Sequence, residues 1–347
     1  MKLLFCTLAL IIIGCNVFAQ DSSNLNFSGY VEAYYQYDFD KPSNHLRPSF
    51  IYNHKKHNEV NINLAFVKAA YNTSKVRANV ALMAGTYPQF NLAAEAPLFQ
   101  YVYEANLGVK LSKKYNTWLD IGIMPSHIGF ESAVSADCYT PSRSMLAENS
   151  PYFETGVKLT HTNKKENLTL ALLYLNGWQR IQKPDDFNKP SFGMQVNYKP
   201  TGNLTLNYSN FLGTDKPDSV NTFRTYHNFY AIYEPSKKFG LIAGFDIGTE
   251  KKATWYSPVI IAKTKLSKTA TMAARAEWFN DKNQILQSTG TANGFNVMGV
   301  SANVDFAVTS NVLCRFEVKN YSAKDAIFKN LSTKNNFSML GSVSVKF

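Results

Sequence analysis

The feature that most constrains the fold is an alternation of apolar and polar residues that recurs along almost the whole chain. Residues 151–178 show it best, because they read as two extended strands of about ten residues joined by a polar turn at 163–167. In an extended chain successive side chains point to opposite sides. One side of the first strand is therefore mostly apolar and the other mostly polar: Phe153, Val157 and Leu159 against Glu154, Lys158 and Thr160.

A soluble β-sandwich would also contain such hairpins, so the number of strands and the residues at their ends decide between fold classes. A tilted strand needs about 9 to 11 residues to cross a bilayer, and membrane barrels carry aromatic residues where the wall meets the lipid headgroups. Both features recur here. We therefore predict an all-β fold: a closed antiparallel transmembrane β-barrel of sixteen strands, with fourteen or eighteen as alternatives.

The predicted connections alternate in length. Tight turns lie near residues 72, 113, 163, 201, 236, 268 and 310, and longer loops lie between them. This asymmetry is typical of outer-membrane barrels, which have short periplasmic turns and longer extracellular loops. The least regular predicted strand is 255–266, because Val259, Ile260 and Ile261 interrupt the alternation.

The amino terminus predicts export. Residues 1–19 combine Lys2, an apolar core and the small-residue cleavage site ending at Ala19. A second interpretation is a lipoprotein signal, in which cleavage before Cys15 would leave a lipidated cysteine. Residues 20–347 then form a single outer-membrane barrel domain.

Composition excludes several classes of protein. A hydrophobic content of 45% with a slightly negative mean hydropathy does not fit a helical membrane protein, whereas a barrel with a wet lumen can be this polar. Only Cys138 and Cys314 follow the signal, so we expect no disulfide framework. No glycine-rich phosphate loop or cysteine metal cluster is present in the sequence, and we expect no cofactor and no metal.

The formal net charge of +11 does not indicate nucleic-acid binding. Most of the lysines fall in predicted short turns, where they are solvated or close to anionic headgroups. The clearest examples are Lys113, Lys114, Lys164, Lys165, Lys237 and Lys238.

Three histidines lie in the predicted loop 39–57. His54 and His57 flank two lysines, which would repel a metal cation, and the spacing fits no specific metal site. We therefore expect His45, His54 and His57 to be solvated.

The longest irregular stretch, residues 125–150, is longer than a loop that only connects two strands usually is. It could stand outside the cell surface, or it could fold into the barrel and narrow the lumen. In the second case its charged residues would form the constriction: Glu131, Asp137, Arg143 and Glu148.

Charges of both signs also recur at inward positions of the predicted strands. They are Glu154, Lys158, Arg275, Glu277, Arg315, Glu317 and Lys319. Opposed rows of charge across a lumen favour water and polar solutes. The alternative is that each charge pairs locally and only fills the interior.

The residues do not support catalysis. Ser126 and His127 are adjacent in sequence, which directs their side chains apart in an extended chain, and no Gly-x-Ser-x-Gly motif is present. The last strand alternates to a terminal Phe347, which resembles the signal by which outer-membrane barrels are recognised by the barrel assembly machinery.

Several motifs in order resemble one family. GIMPSHIGFES at 122–132, SPYFETGVKLTH at 150–161, LNGWQRI at 175–181, GFDIG at 244–248 and ARAEWFND at 274–281 are similar to the OmpL-like beta-barrel porin-2 group of Bacteroidetes-type bacteria. The resemblance covers essentially all of the chain after the signal. It implies an outer-membrane porin, and it brings neither a substrate nor catalytic residues.

Two functions remain open. The first is a passive or weakly selective channel for small hydrophilic solutes or ions. The second is a surface-binding or structural barrel with a blocked lumen, in which loop aromatics such as Phe90, Tyr139 and Trp178 would contact partners. We expect contact with outer-membrane lipid and no contact with nucleic acid, and a homo-oligomer is an open alternative.

Overall fold

The polypeptide wall is one closed barrel of sixteen antiparallel strands, which confirms the predicted fold class and strand number. A computed structural model describes residues 24–214 and 216–347. The predicted export signal and Cys15 lie outside the described residues.

Short turns connect the strands at one end of the barrel, which is named the short-turn end. The loops at the opposite end are mostly longer, and that end is named the long-loop end. The strand bounds are β1 (Leu25–Asp38), β2 (Val60–Asn72), β3 (Val76–Ala84), β4 (Val102–Lys110), β5 (Asn116–Pro125), β6 (Phe153–Thr162), β7 (Leu168–Leu175), β8 (Ser191–Thr201), β9 (Leu204–Gly213), β10 (Arg224–Ser236), β11 (Phe239–Glu250), β12 (Ala253–Lys265), β13 (Ala270–Asp281), β14 (Phe295–Ala307), β15 (Val312–Ala323) and β16 (Asn335–Lys346).

In the part of the chain that the structure describes, helical structure is confined to the loops. It comprises α1 (Thr86–Asn91), α2 (Met145–Glu148) and 3₁₀ turns at Phe99–Tyr101, Ser135–Asp137 and Asp218–Val220. None of the helices in the described part of the chain has the length and apolar character to cross a membrane.

Two strands are shorter at the long-loop end than predicted, each by three residues. The strand predicted over 75–87 ends at Ala84, because Gly85 at φ 128° turns the chain away from the sheet and α1 follows. The strand predicted from residue 99 begins only at Val102, after a 3₁₀ turn. The irregular segment 255–266 is a strand, β12, in spite of its broken alternation.

The barrel closes where β1 pairs with β16, in a register that runs from Tyr30 opposite Lys346 to Asp38 opposite Ser338. The last residue completes this seam: Phe347 N donates to Gly29 O at 3.1 Å, and Gly29 N donates to Phe347 O at 2.7 Å. The Phe347 ring also lies where a side chain on residue 29 would be, so a larger residue there would displace that ring.

The apolar residues of the alternating sequence lie on the outer wall of the barrel, and the polar residues between them face its interior. On β14, Val300 has half of its side chain exposed on the outer wall, whereas its neighbour Ser301 faces inward and is buried. The same pattern holds on β1, where Phe27 is outward and Glu32 is inward and buried. An apolar outside and a polar inside are what a membrane-spanning barrel requires.

A charge placed on the outer wall should therefore destabilise the barrel according to its depth. We expect Val300→Arg to lower the free energy of unfolding by about 2–4 kcal/mol, because Val300 lies in the middle of β14. Val308→Arg is the control, since Val308 is exposed beyond the strand end and should cost about 0–1 kcal/mol. Urea titration of both variants in lipid vesicles measures the difference, and equal costs would contradict a lipid-facing outer wall.

Packed apolar side chains cover part of the long-loop end of the barrel. One cluster includes Phe50, Phe211 and Trp255, and a second, around α1, includes Tyr87 and Leu92. The loops between the strands therefore fold over the mouth instead of extending away from it.

The loop aromatics take part in this packing, so the expectation that they are free to contact partners is wrong for two of them. Trp178 packs edge-on against Phe211 and Tyr226, with ring centroids 5.1 and 4.9 Å apart. Tyr139 lies inside the barrel, where its hydroxyl donates to Glu234 at 2.7 Å. Phe90 is half-buried.

The expectation of solvated histidines is wrong for His54 and His57, which are both buried, and holds only for the exposed His45. His54 Nε2 lies 3.2 Å from the Glu32 carboxylate, and His57 Nδ1 accepts from Asp38 N at 2.8 Å. The reason is that the loop 39–59 folds back over the lumen and carries its polar residues onto inward positions of β1. Within the described ranges, no three His, Cys, Asp or Glu side chains are arranged to hold a metal ion.

Candidate functional site

The candidate site is the lumen where the loop between β5 and β6 crosses it. This loop, residues 126–152, is named the inward loop. Its ends are joined by Ser126 N donating to Tyr152 O at 3.0 Å, and residues 140–151 are buried. The alternative that this segment stands outside the barrel is therefore wrong.

His127 anchors the start of the inward loop. Its Nδ1 lies 2.7 Å from Glu154 Oε2 on β6, and its Nε2 lies 2.7 Å from the carbonyl oxygen of Asn210 on β9. Both ring nitrogens are thus used in holding the loop. The neighbouring Ser126 hydroxyl accepts from Ile128 N at 3.0 Å, so these two side chains are engaged in separate structural contacts.

Burial of His127 lowers its pKa, but the Glu154 carboxylate and the hydrogen bonds to the ring outweigh burial and raise the pKa above its usual value. A raised folded-state pKa adds stability that is fully present below the unfolded pKa, near 6.5, and is lost as pH rises through the folded pKa.

We therefore expect His127→Gln to cost most stability below about pH 6.5 and progressively less as pH rises above it. The measurement is the denaturant midpoint of both proteins from pH 5 to pH 9. The variant His161→Gln is a control, because His161 is half-exposed and its ring hydrogen-bonds only Thr117 among the described residues. A pH-independent difference for His127→Gln would contradict the assignment.

A buried ionic cluster fixes the middle of the inward loop to the wall. Arg275 on β13 lies 3.1 Å from Glu317, 3.5 Å from Glu277 and 3.7 Å from Glu131 of the loop. Arg275 also donates to the carbonyl oxygen of Ser142 at 2.9 Å. All four charged side chains are essentially inaccessible to water.

Lys319 and Arg143 complete this cluster. Lys319 Nζ lies 3.1 Å from Glu277 and donates to the carbonyl oxygen of Arg143 at 3.0 Å. The Arg143 guanidinium turns back into its own loop, where it donates to the carbonyl oxygens of Ser132 at 2.6 Å and Ala133 at 3.0 Å. Arg143 therefore shapes the loop instead of facing an opposite wall.

Arg315 on β15 forms a second anchor. Its guanidinium bonds Asp305 on β14 at 2.7 Å and donates to the carbonyl oxygens of Ser135 at 2.6 Å and Tyr139 at 3.1 Å. Along the sequence, the inward acid nearest to Arg315 is Glu317, two residues away on the same strand. The actual partner is the residue directly opposite in the β14–β15 register.

The other candidate residues are spread over the depth of the barrel. Glu148 accepts from Tyr52 N at 2.9 Å in the loop 39–59, and burial raises the pKa of its carboxyl. Asp137 is exposed and pairs with Lys346 near the short-turn end. Glu154 is held by His127, and Lys158 is half-buried beside Asp120 in the β5–β6 register.

Residues not singled out from the sequence join the same network. Glu32 on β1 contacts His54 and is also hydrogen-bonded to the Ser135 hydroxyl of the inward loop. Glu32 was recognisable as an inward acid in an otherwise aromatic strand. The sequence did not reveal its partners, His54 and Ser135, because both lie on loops more than twenty residues away.

Space remains on both sides of the inward loop. At the short-turn end, cavities of about 240 and 300 Å³ are both lined by Tyr139 and Lys263. Six inward polar side chains on strands between β2 and β8 are half-exposed: Lys68, Asn79, Asn106, Lys158, Gln195 and Asn197. A third cavity, of about 620 Å³, opens at the long-loop end.

The chain matches a model of a known protein family. A model described as "Putative beta-barrel porin-2, OmpL-like" matches residues 24–347. No curated protein matched the chain.

Solved porin structures share the fold. An anion-selective porin from Comamonas acidovorans is 7% identical, with a TM-score of 0.60 over 93% of this chain and 99% of that one. OmpT of Vibrio cholerae with loop L8 deleted is 11% identical, with a TM-score of 0.56 over 93% and 99%. A triple mutant of the Rhodopseudomonas blastica porin is 12% identical, with a TM-score of 0.57 over 93% and 100%.

Proposed function

Since the chain belongs to the OmpL-like beta-barrel porin-2 family, we propose that it acts as a passive or weakly selective diffusion channel for small hydrophilic solutes or ions in the outer membrane of a Gram-negative bacterium. The observation that carries the proposal is the set of half-exposed inward polar side chains on strands between β2 and β8, beside a loop that narrows the lumen. A polar, water-lined wall favours hydrophilic solutes over apolar ones.

The candidate residues divide into two roles under this proposal. The buried set holds the inward loop in place and is shielded from solute: Arg143, Glu131, Glu148, Glu154, Arg275, Glu277, Arg315, Glu317 and Lys319. Asp137 and Lys158 are accessible enough to meet a solute. The buried set therefore controls the width of the lumen, and the accessible pair acts on permeating ions.

Single-channel recording of the purified, folded protein in planar bilayers tests the proposal. We expect ohmic conductance steps. Their absence, with folding shown by the heat-dependent shift in gel mobility, would overturn it.

Location and assembly follow the same proposal. The short turns face the periplasm, the long loops face outward, and the export signal is removed near Ala19. The outer wall contacts lipid, and β16 with its terminal Phe347 presents the chain to the barrel assembly machinery. Association into a homo-oligomer is compatible with this arrangement, and light scattering in detergent would measure it.

The charge at the short-turn end predicts the sign of ion selectivity. Ten exposed lysines ring it, against the two acids Glu166 and Glu234 in the same turns: Lys75, Lys113, Lys114, Lys164, Lys165, Lys199, Lys237, Lys238, Lys265 and Lys268. A rim of one sign raises the local concentration of counter-ions. We expect reversal potentials in a KCl gradient to show that chloride permeates better than potassium.

The expected preference should weaken above about 1 M salt, where the Debye length is ~3 Å. Changing Lys113, Lys114, Lys164 and Lys165 to glutamate should move the reversal potential toward potassium. The matched control is Lys251→Glu with Lys252→Glu, which changes exposed lysines at the opposite end. An equal shift in the control would contradict a role for the rim.

A blocked lumen is the second candidate function, and one observation favours it. The void lined by Arg47, Ser142 and Lys319, beside the ionic cluster, has no room for a water molecule. A folded protein that never conducts would support this alternative, in which the barrel serves a structural or binding role at the surface.

A further inference from the structure

One row of inward residues on β3 to β6 pairs in a way that the strand register does not predict. Arg77 lies opposite Gly108, and Gly108 lies opposite Asp120. Asp120 in turn lies directly opposite Lys158, and opposite charges in that position usually attract each other. Asp120 is nevertheless bonded to Arg77, two strands away, with Arg77 Nε donating to Asp120 Oδ1 at 2.7 Å and Nη2 donating to Oδ2 at 2.5 Å.

Gly108 allows Arg77 to reach across β4. A side chain on residue 108 would collide with the Asp120 carboxylate and with the side chain of Arg77. The Arg77 guanidinium also lies 4.5 Å from the ring centre of Trp118, which is within the range of a cation–π contact. A bidentate bond between arginine and a carboxylate is among the stronger hydrogen-bonded pairs in proteins. Asp120 therefore stays with Arg77, and Lys158 is left without this acid.

The remaining inward acids of β2 to β6 have partners of their own. Glu104 lies 2.8 Å from Lys68, and Glu154 lies 2.7 Å from His127. Within the described ranges, Lys158 forms no ion pair and its amine donates no hydrogen bond. Its side chain is half-exposed, and the amine is not closed off from water. The Lys158 amine is therefore an uncompensated positive charge in the lumen.

Small and polar residues leave the surroundings of Lys158 open. The next inward position on β6 is Gly156, and Gly122 lies opposite it on β5. The same row continues to Asn106 on β4, whose amide side chain is half-exposed. A positive charge on a polar, water-lined wall raises the local concentration of anions.

We propose that Lys158 is an anion-binding residue of the lumen, at which a small inorganic anion is held transiently during permeation. This site rests on the proposed function in one respect, because the ion has to enter the lumen from the short-turn end. It adds a fixed position inside the barrel to the diffuse attraction of the exposed lysines around that end. An amine that contacts the ion directly is screened by salt much less than an exposed charge at a distance.

Trp118 provides a reporter for this site. It is half-exposed and faces inward opposite Thr160, so it lies diagonally from Lys158 across the β5–β6 pair. Diagonal neighbours in such a pair are about 7–8 Å apart. Iodide held by Lys158 should therefore quench the fluorescence of Trp118 in the folded protein in detergent. The signal of a Trp118→Phe variant is subtracted to isolate the contribution of Trp118.

Lys158→Gln should at least halve the quenching of Trp118 by iodide and leave quenching by neutral acrylamide unchanged. Lys158→Arg, which keeps the charge, should be quenched as the wild type is. Lys113→Gln is the matched control, because it removes one exposed lysine from the turn between β4 and β5 and should leave the quenching nearly unchanged.

Gly108→Ala tests the pairing without changing any charge. The added methyl group lies where the Asp120 carboxylate accepts from Arg77, so Asp120 should turn toward Lys158 and iodide quenching should fall. The proposal is overturned if Lys158→Gln is quenched as the wild type is, or if Lys113→Gln loses as much quenching as Lys158→Gln. Where Lys158→Gln does not fold, wild-type quenching of Gly108→Ala overturns it.

Bilayer recording separates this proposal from the proposed function. Quenching that depends on Lys158 in a protein that never conducts would support the anion site and remove the channel. Conduction with quenching independent of Lys158 would leave the channel and overturn the site. In a conducting protein, Lys158→Gln should also reduce the chloride preference that persists at about 1 M KCl, where the exposed lysines are screened within ~3 Å.

Discussion

Replacing residues 131–147 of the inward loop with a short glycine-serine linker is expected to raise the single-channel conductance several-fold. This segment contributes the buried side chains that cross the lumen, including Met145 and Leu146. Without it, Arg275, Glu277, Glu317 and Lys319 remain close enough to pair with one another on the wall. The barrel should therefore stay closed while its lumen widens.

The measurement is the distribution of conductance steps in planar bilayers, after the heat-dependent shift in gel mobility has shown that the variant is folded. Shortening the loop at residues 183–189, which are largely exposed at the long-loop end, is the control and should leave the conductance unchanged. A folded variant of the inward loop with wild-type conductance would show that the inward loop does not limit the flow of ions.

Arg275→Met is expected to lower the free energy of unfolding by about 3–5 kcal/mol, because it leaves buried carboxylates without their shared cation. Three acids depend on Arg275, and burial makes an uncompensated charge costly. The loss should also release the inward loop, since the Ser142 carbonyl and the Thr140 hydroxyl would lose their donor. We therefore expect noisier conductance as well as a lower denaturant midpoint.

Lys263→Met is the matched control for Arg275→Met. Lys263 lies 3.2 Å from Glu234, but both side chains are partly exposed, so the pair should contribute less than about 1 kcal/mol. Adding Glu317→Gln to Arg275→Met should recover part of the lost stability, because it removes one of the buried carboxylates that have lost their cation. If Arg275→Met and Lys263→Met cost the same, the buried cluster is not what holds the loop.

The sequence predicts the strands of the barrel wall better than it predicts the loops that fold into the lumen, and the reason is physical. Strand residues such as Val300 and Ser301 face hydrocarbon or lumen in strict alternation, so a local pattern is enough to assign them. The path of the inward loop depends on contacts such as His127 with Asn210, which no local pattern encodes. The burial of His54 against Glu32 was missed for the same reason.

One contact was within reach of the sequence. The turn at residues 309–311 was predicted, and it sets Asp305 opposite Arg315 in the register of the two strands. Charged residues that face each other across a hairpin interact directly, so the predicted turn was enough to pair Asp305 with Arg315.

The seam between β1 and β16 has a consequence for biogenesis. Every other strand pairing joins neighbours in the chain, so each can form as soon as its hairpin is available. The seam alone joins residues three hundred or more positions apart. Until the final strand arrives, the sheet has two open edges whose amide and carbonyl groups hydrocarbon cannot satisfy, and insertion must therefore wait for the last part of the polypeptide to be delivered.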